Sequence, residues 1–396
     1  MRIGIWLGNE ILPTLGGGGA YVQRIINLID NYNFDKDIDI CYLTLSPQKN
    51  LQRKVINVSQ LPRALFRIFH FSKFLFSFIE RIDNYIIRKR GLAKILKGEN
   101  IKIVCYIRQG DCIDSEFPFI FNNWDIGHRS THSFPELTIK GIFEQRDEFY
   151  QKILPKSLLT ICESESGKKE LMYYTRMGSH KIRVMPLFAG GVSTLEYQEE
   201  EINKTLIDVG VKSNMFFYYP AQFWAHKNHV GLIKAFKEFG EKYRDYKLVL
   251  SGSDKGNKEY VKSVVAKLGI EDKVIILGFV SNETVYSLYK KATALVMASH
   301  FGPTNMPPIE AMELGCPVIC SDLSGHREIL GDNAVYFNSY NSDSILKALT
   351  ELTENRDEWK KRIKKQKDIT VFNEKNALRS FNNILLDAIN IRENWG

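Results

Sequence analysis

Two doubly wound α/β domains facing each other across a cleft are the architecture this sequence predicts, and three observations predict it. Short apolar runs of strand length alternate with helical patterns through both halves of the chain, as in parallel sheets covered by helices. Between Leu187 and Asn214 the character changes, with Gly190-Gly191 followed by an acidic run from Glu196 to Glu201. The chain is 396 residues long, more than one hydrophobic core serves. The expected bounds are 1–190 and 191–372 for the two domains and 373–396 for a closing helix.

In the first half, buried strands are predicted over Arg2–Trp6, Ile38–Leu45, Ile101–Ile107, Phe117–Phe121, Leu158–Cys162 and Ile182–Pro186, with helices over Val22–Ile29 and Glu144–Leu154. Ser164 or Ser166 is the expected N-cap of a further helix. In the second half the strands are Met215–Tyr219, Lys247–Leu250, Lys273–Leu277, Ala294–Ala298, Val318–Cys320 and Val335–Asn338. Helices are expected over Val230–Glu238, to Leu268, over Asn282–Lys291, from Ile309 to the Gly315/Pro317 stop, and over Ser342–Thr353, Arg356–Lys365 and Asn373–Ile391. No solenoid-type repeat is visible.

Apolar residues make up 44% and charged residues 25%, an ordinary globular balance. No run is long and apolar enough for a transmembrane helix, and the N-terminus lacks a signal peptide's apolar region. The six cysteines are irregularly spaced and four lie in or beside apolar runs, which reads as reduced core thiols of a cytosolic protein. Net charge is +8, concentrated between Leu61 and Gly98, where nine Lys/Arg face two Asp/Glu. Aromatic and aliphatic residues recur beside those cations. The pattern suits peripheral contact with an anionic membrane as well as a helix with one solvated basic face. No nucleic-acid recognition pattern accompanies it.

Four stretches carry chemistry. Leu15 to Ala20 holds a glycine run, Gly16 to Gly19, between the first strand and a helix, where backbone can approach an anion closely. Asp125, His128 and Arg129 crowd just past a strand's C-terminal end, where open α/β sheets carry their sites. Lys227 stands ahead of a helix start, in reach of a phosphate. The fourth stretch, Ala294–Leu330, is a strand–loop–helix–strand unit. Its Pro-rich loop would hold main-chain amides in place, and Glu310, read as lying in the first helical turn, can take two hydrogen bonds from a ribose diol or simply complement the helix dipole.

The last stretch resembles the donor-binding signature of retaining glycosyltransferases of the GT-B fold, a large family whose pattern sets two glutamates eight positions apart. Pro307-Pro308-Ile309-Glu310-Ala311-Met312 and Gly315-Cys316-Pro317-Val318 match it. The first glutamate falls on Gly302, within His300-Phe301-Gly302-Pro303-Thr304-Asn305, so the chain is similar to a variant branch with a GPTN loop. The resemblance implies two Rossmann-like domains, with the last helix crossing back to the first. It implies a sugar passed from a UDP- or GDP-linked donor to a glycan hydroxyl, without a metal or other cofactor. Donor contacts would come from Gly17, Gly18, Gly19, Gln222, Lys227, Ser253, Phe279, Val280, Thr304, Asn305, Met306, Pro307 and Glu310. His128 and Asp125 would face the reacting sugar and Arg129 an acceptor phosphate. Where the family has an Arg, this chain has Gln222, a neutral donor; His226 and Asn228 are the neighbours that could compensate. His326-Arg327-Glu328 is similar to a further donor-side segment.

Asp35, Asp37 and Asp39 have metal-bridging spacing but sit at the wrong end of a strand, and read as a solvated turn. By analogy the acceptor is a lipid-linked glycan of a surface polysaccharide, and the protein works at the inner face of the cytoplasmic membrane. Two rivals stand beside this reading: a GT-B sugar-nucleotide epimerase or phosphorylase, and a non-catalytic membrane-bound nucleotide-binding scaffold.

Overall fold

Runs such as Ile3–Leu7 and Phe216–Tyr219 are apolar on both faces, and a strand of that kind is stable only inside a sheet covered on both sides. The protein, a computed structural model here, is described at residues 1–8, 17–46, 50–59, 92–109, 111–112 and 117–395. Among these residues thirteen strands form two sheets, ordered β3-β2-β1-β4-β5-β6-β7 and β10-β9-β8-β11-β12-β13. All the strand pairs within them are parallel. The first sheet comprises β1 (Arg2–Gly8), β2 (Asp39–Thr44), β3 (Val55–Asn57), β4 (Ile101–Tyr106), β5 (Phe119–Asn123), β6 (Leu159–Cys162) and β7 (Ile182–Val184). The second comprises β8 (Phe216–Pro220), β9 (Lys247–Ser251), β10 (Val274–Gly278), β11 (Ala294–Met297), β12 (Val318–Ser321) and β13 (Val335–Phe337). Strand order reverses beside β1 and beside β8, so each domain opens a crevice at those strands' C-terminal ends.

β3 has no counterpart in the sequence reading, because three residues with one buried side chain make no periodic signal. Of the glycine run, Gly17 to Gly19 form the first turn of the helix Gly17–Asn31 rather than a loop. A Cβ on Gly18 would lie 3.0 Å from the Trp124 ring, so this glycine serves close packing. The cysteines are free and buried, and burial pushes the Cys105 and Cys316 thiols up to about 12. Of the basic stretch, residues 60–91 lie outside the described residues, while the helix Leu92–Gly98 buries Leu92 and Leu96. Among the described residues no helix is long and apolar enough to cross a membrane.

The last helix, Glu374–Glu393, packs on the Gly17–Asn31 helix and on β4 of the first domain. Its buried residues Ala377, Phe381, Ile384, Leu385 and Ala388 recur at helical spacing. At its start Arg24 makes a two-pronged pair with Glu374, at 2.6 and 2.8 Å, and further on Arg183 pairs with Asp387 at 2.7 Å. Phe381 meets Phe34 edge-on, ring centroids 6.1 Å apart. Phe381→Ala should therefore lower the unfolding free energy by about 3–5 kcal/mol, read from the urea midpoint.

Candidate functional site

A crevice of about 560 Å³ lies between the two domains. The second domain lines it with Gln222, Ser253, Phe279, Val280, Met306, Pro307 and Glu310. The first domain contributes Gly17, Gln23, Arg24 and Asn27, all on one helix, and Gly191 and Val192 of the connection close one side.

Glu310 is the fifth residue of the helix Met306–Leu314, so it projects from the second turn and does not complement the dipole there. The helix begins earlier than its pattern suggests, because Pro307 and Pro308 have the φ of a first turn already. Those prolines remove two main-chain donors, which leaves Met306 as the only N–H in the first three positions. Tyr289 Oη donates to Glu310 Oε2 at 2.8 Å. Burial pushes the Glu310 carboxyl up to about 6, against that hydrogen bond. A Cβ on Gly190 would fall 2.3 Å from Glu310 Oε1 and 2.9 Å from Met306 Sδ, so the junction glycine is what lets the carboxylate sit there.

Lys227 ends a short turn, Ala225–Lys227, past β8. Its Nζ donates to Asn305 Oδ1 at 3.0 Å and lies 3.5 Å from Ser299 Oγ. The Asn305 amide in turn meets His326 Nε2 at 3.0 Å, and His326 Nδ1 meets the Ser321 carbonyl at 2.8 Å. Lys227 thus stands behind Asn305, one layer from the crevice wall, and burial lowers its amine to about 8. Gln222 accepts from Trp224 Nε1 at 3.1 Å, while its Nε2 is buried with no hydrogen-bond partner among the described residues. The two neighbours proposed to assist are engaged elsewhere. His226 bonds Glu136 through its main-chain N–H, at 2.9 Å, and its ring. Asn228 caps the next helix through Gly231 N–H and donates to the Ser339 carbonyl.

The Asp125–Arg129 group lies off the crevice wall, in the packing of the first domain except at Gly127, which meets the Phe301 ring of the second. Asp125 accepts from Arg146 at 2.7 Å and from Gly127 N–H at 2.8 Å; burial opposes its charge, but the Arg146 guanidinium holds the carboxyl below its usual range. His128 is fully buried between Phe143 and Tyr150, and neither ring nitrogen has a hydrogen-bond partner among the described residues. Burial lowers it to about 4, so its ring is neutral at physiological pH. Arg129 pairs with Asp147. Gly18 and Gly19 do not line the crevice either: Gly18 packs against Trp124 and Gly19 is buried. Of the 326–328 segment, only His326 approaches the site. Arg327 pairs with Asp322, and Glu328 caps the helix Glu165–Thr175 of the other domain through Glu165 N–H and Ser166 N–H, at 2.8 and 2.7 Å.

Thr304 faces the first domain and donates to Glu163 Oε2 at 2.8 Å. Sequence reasoning missed Glu163, Tyr289 and the polar side of the first helix. The signal available for Glu163 was an acidic residue directly after a strand's last residue, where α/β sites collect. Among the described residues no three His, Cys, Asp or Glu side chains are grouped as metal ligands.

The description "glycosyl transferases group 1" matches residues 199–369, the second domain. The O-antigen chain mannosyltransferase RfbU of Salmonella typhimurium is 31% identical over 226 residues, covering 55% of this chain and 62% of that one. A diphospho-undecaprenol 4-alpha-N-acetylgalactosaminyltransferase of Campylobacter jejuni is 32% identical over 131 residues, 33% of this chain and 34% of that one. The chain spans about half the length of the curated relatives it matches. Among solved structures, Anabaena HepE in complex with UDP and glucose superposes with a TM-score of 0.70 at 16% identity, over 98% of this chain and 99% of that one. The fold is GT-B. Gly190→Ala should displace Glu310 and Met306 and cost about 1–3 kcal/mol of stability, measured by urea unfolding.

Proposed function

We propose that the chain is a retaining glycosyltransferase that moves a sugar from a nucleoside diphosphate to a hydroxyl of a lipid-linked glycan, in the making of a bacterial surface polysaccharide. One observation carries the reading. The crevice brings a buried carboxylate, Glu310, an orphaned amide donor, Gln222, and an exposed ring, Phe279, to a single interdomain cleft, with a buried cation, Lys227, one layer behind it. A nucleotide needs these four things: a diol acceptor, phosphate donors, a surface for the base and a countercharge.

In this reading the ribose sits on Glu310, the base lies beside Phe279 and Val280, and the diphosphate lies at Gln222, the Met306 amide and Gly17. As the bond to the sugar breaks, negative charge grows on the diphosphate and positive charge on the anomeric carbon. Lys227, held by Asn305 and Ser299, lies one layer behind and neutralises the first in a site shielded from water. No metal is assigned to that task. Thr304 and Asn305 continue the wall past the diphosphate, where the sugar must lie. The buried His128 supports the wall through packing, and Asp125 holds the turn before it. Support for the acceptor comes from the relatives' printed names and from the basic, aromatic 61–98 stretch, which suits the surface of an anionic membrane. An epimerase or phosphorylase has no use for that stretch, and a scaffold has none for a buried cation beside the cleft.

A thermal-shift screen of UDP, GDP and their hexose conjugates tests the reading. One nucleotide should stabilise the protein by about 2.7 kcal/mol at a hundredfold excess over Kd. Lys227→Ala or Glu310→Ala should remove most of that shift, and an unchanged shift in both variants would count against the assignment. Affinity also has a pH window. It should fall below about pH 6, as Glu310 takes a proton, and above about pH 8, as Lys227 loses one. Lys227→Arg should flatten the alkaline limb, because a guanidinium keeps its charge there. Titration calorimetry from pH 5 to 9.5 reads both limbs.

A further inference from the structure

The resembled signature places a carboxylate at position 302, and this chain cannot carry one there. Gly302 has φ +131°, in the region that favours glycine, and a Cβ on it would lie 2.8 Å from Asn305 Nδ2 and 3.1 Å from the Thr304 carbonyl. The loop is built without that side chain. A carboxylate nevertheless reaches the same loop from the opposite domain. Glu163 follows the last residue of β6, is 8% exposed, and accepts the Thr304 hydroxyl at 2.8 Å through Oε2.

No Lys, Arg or His pairs with Glu163 among the described residues, and none of its hydrogen bonds there goes to Oε1. A buried, unpaired carboxyl is costly to keep, and burial pushes this one up to about 8. Its neighbours are also incomplete. The Tyr21 hydroxyl and Asn122 Oδ1 are buried with no partner at ordinary hydrogen-bond distance among the described residues; burial first, and then the nearby Glu163 carboxyl, raise the Tyr21 hydroxyl well above its ordinary value, against a hydrogen-bonding pull from the Asn122 side chain. A carboxyl, a hydroxyl and an amide oxygen thus gather where two strand ends of the first domain meet its first helix, near the loop that Lys227 holds from the other side at Asn305. Unsatisfied groups of this kind suit a ligand with several hydroxyls, each able to donate and accept.

We propose that Glu163 binds a hydroxyl of the donor's hexose, so that the first domain supplies the carboxyl group that residue 302 lacks. Tyr21 and Asn122 complete the same polar wall. The proposal rests on the reading of the crevice as a sugar-nucleotide site. It also makes sugar recognition depend on domain closure, since Glu163 and Lys227 meet at one loop only when the two sheets face each other.

The test uses the full chain, UDP and GDP, UDP-glucose and GDP-mannose, and the 2-, 3-, 4- and 6-deoxy forms of whichever conjugate is turned over. Glu163→Gln keeps the size of the side chain and the Thr304 bond, and Glu163→Ala removes both. In both variants the thermal shift given by the free nucleoside diphosphate should match that of the unaltered protein, which shows that the fold and the nucleotide site are intact. Release of nucleoside diphosphate from the sugar conjugate should fall about a hundredfold or more. One deoxy donor should lose about as much with the unaltered protein and lose nothing further with Glu163→Ala. Turnover within threefold of the unaltered protein in both variants, or additive losses for every deoxy donor, would overturn the proposal. If neither UDP nor GDP shifts the unaltered protein, the sugar-nucleotide reading itself fails, which is a separate result.

Discussion

The loop from Ser299 to Asn305 is held by both domains at once, and the geometry of the cleft depends on that. From its own domain Lys227 and His326 fix Asn305, and His300 stacks with Tyr340. From the opposite domain Glu163 takes Thr304, Gly127 lets the Phe301 ring come close, and Phe134 stacks on His300 at 5.3 Å. Glu328 and Glu136 add two further polar contacts across the junction. Loops are usually the least restrained parts of an α/β fold. Here the side-chain bonds from two rigid sheets replace the hydrogen-bond ladder that the loop lacks, and they place its polar groups within the tolerance a binding site needs.

Much of the architecture was legible because parallel strands covered on both faces leave an unmistakable trace of continuous apolar runs. Twelve of the thirteen strands in the described residues fall on such runs, and the helices between them carry the expected periodicity. The exceptions have local causes. Val55–Asn57 is too short to be periodic. The glycines at 17–19 look like a loop by composition, yet helix packing against Trp124 is what calls for Gly18. The Met306–Leu314 helix starts three residues, Met306 to Pro308, before Ile309, where its periodic pattern begins, which moves Glu310 from the first turn to the second.

The site was legible in part. Gln222, Ser253, Phe279, Val280, Met306, Pro307, Glu310 and Gly17 meet in one crevice, because each lies just beyond a strand's C-terminal end, at a helix start or, for Glu310, one turn into a helix, and strand order determines which of those ends converge. His128 and Arg129 obey the same rule in one dimension but turn inward, since the short helix Gly127–Ser130 packs on the helix Ile142–Lys152 and aims them at Asp147 and Tyr150. Strand-end position is therefore evidence of proximity. The direction of a side chain is decided by the packing partners that follow many residues later.

The same limit explains why the strand-end position of Glu163 was too weak a signal to single it out. Its chemistry depends on Thr304, 141 positions further along, and on a glycine at 302 that a local motif reads merely as a missing residue. A recognition pattern that spans two domains can lose a side chain on one wall and recover its function from the other, provided the sheets keep the walls at hydrogen-bond distance. Position 302 is free to be glycine only while the closed arrangement keeps Glu163 within reach of Thr304. The crossing helix Glu374–Glu393 helps to preserve that arrangement, because it is joined to the second domain by the chain and bound to the first through Arg24, Arg183 and Phe34.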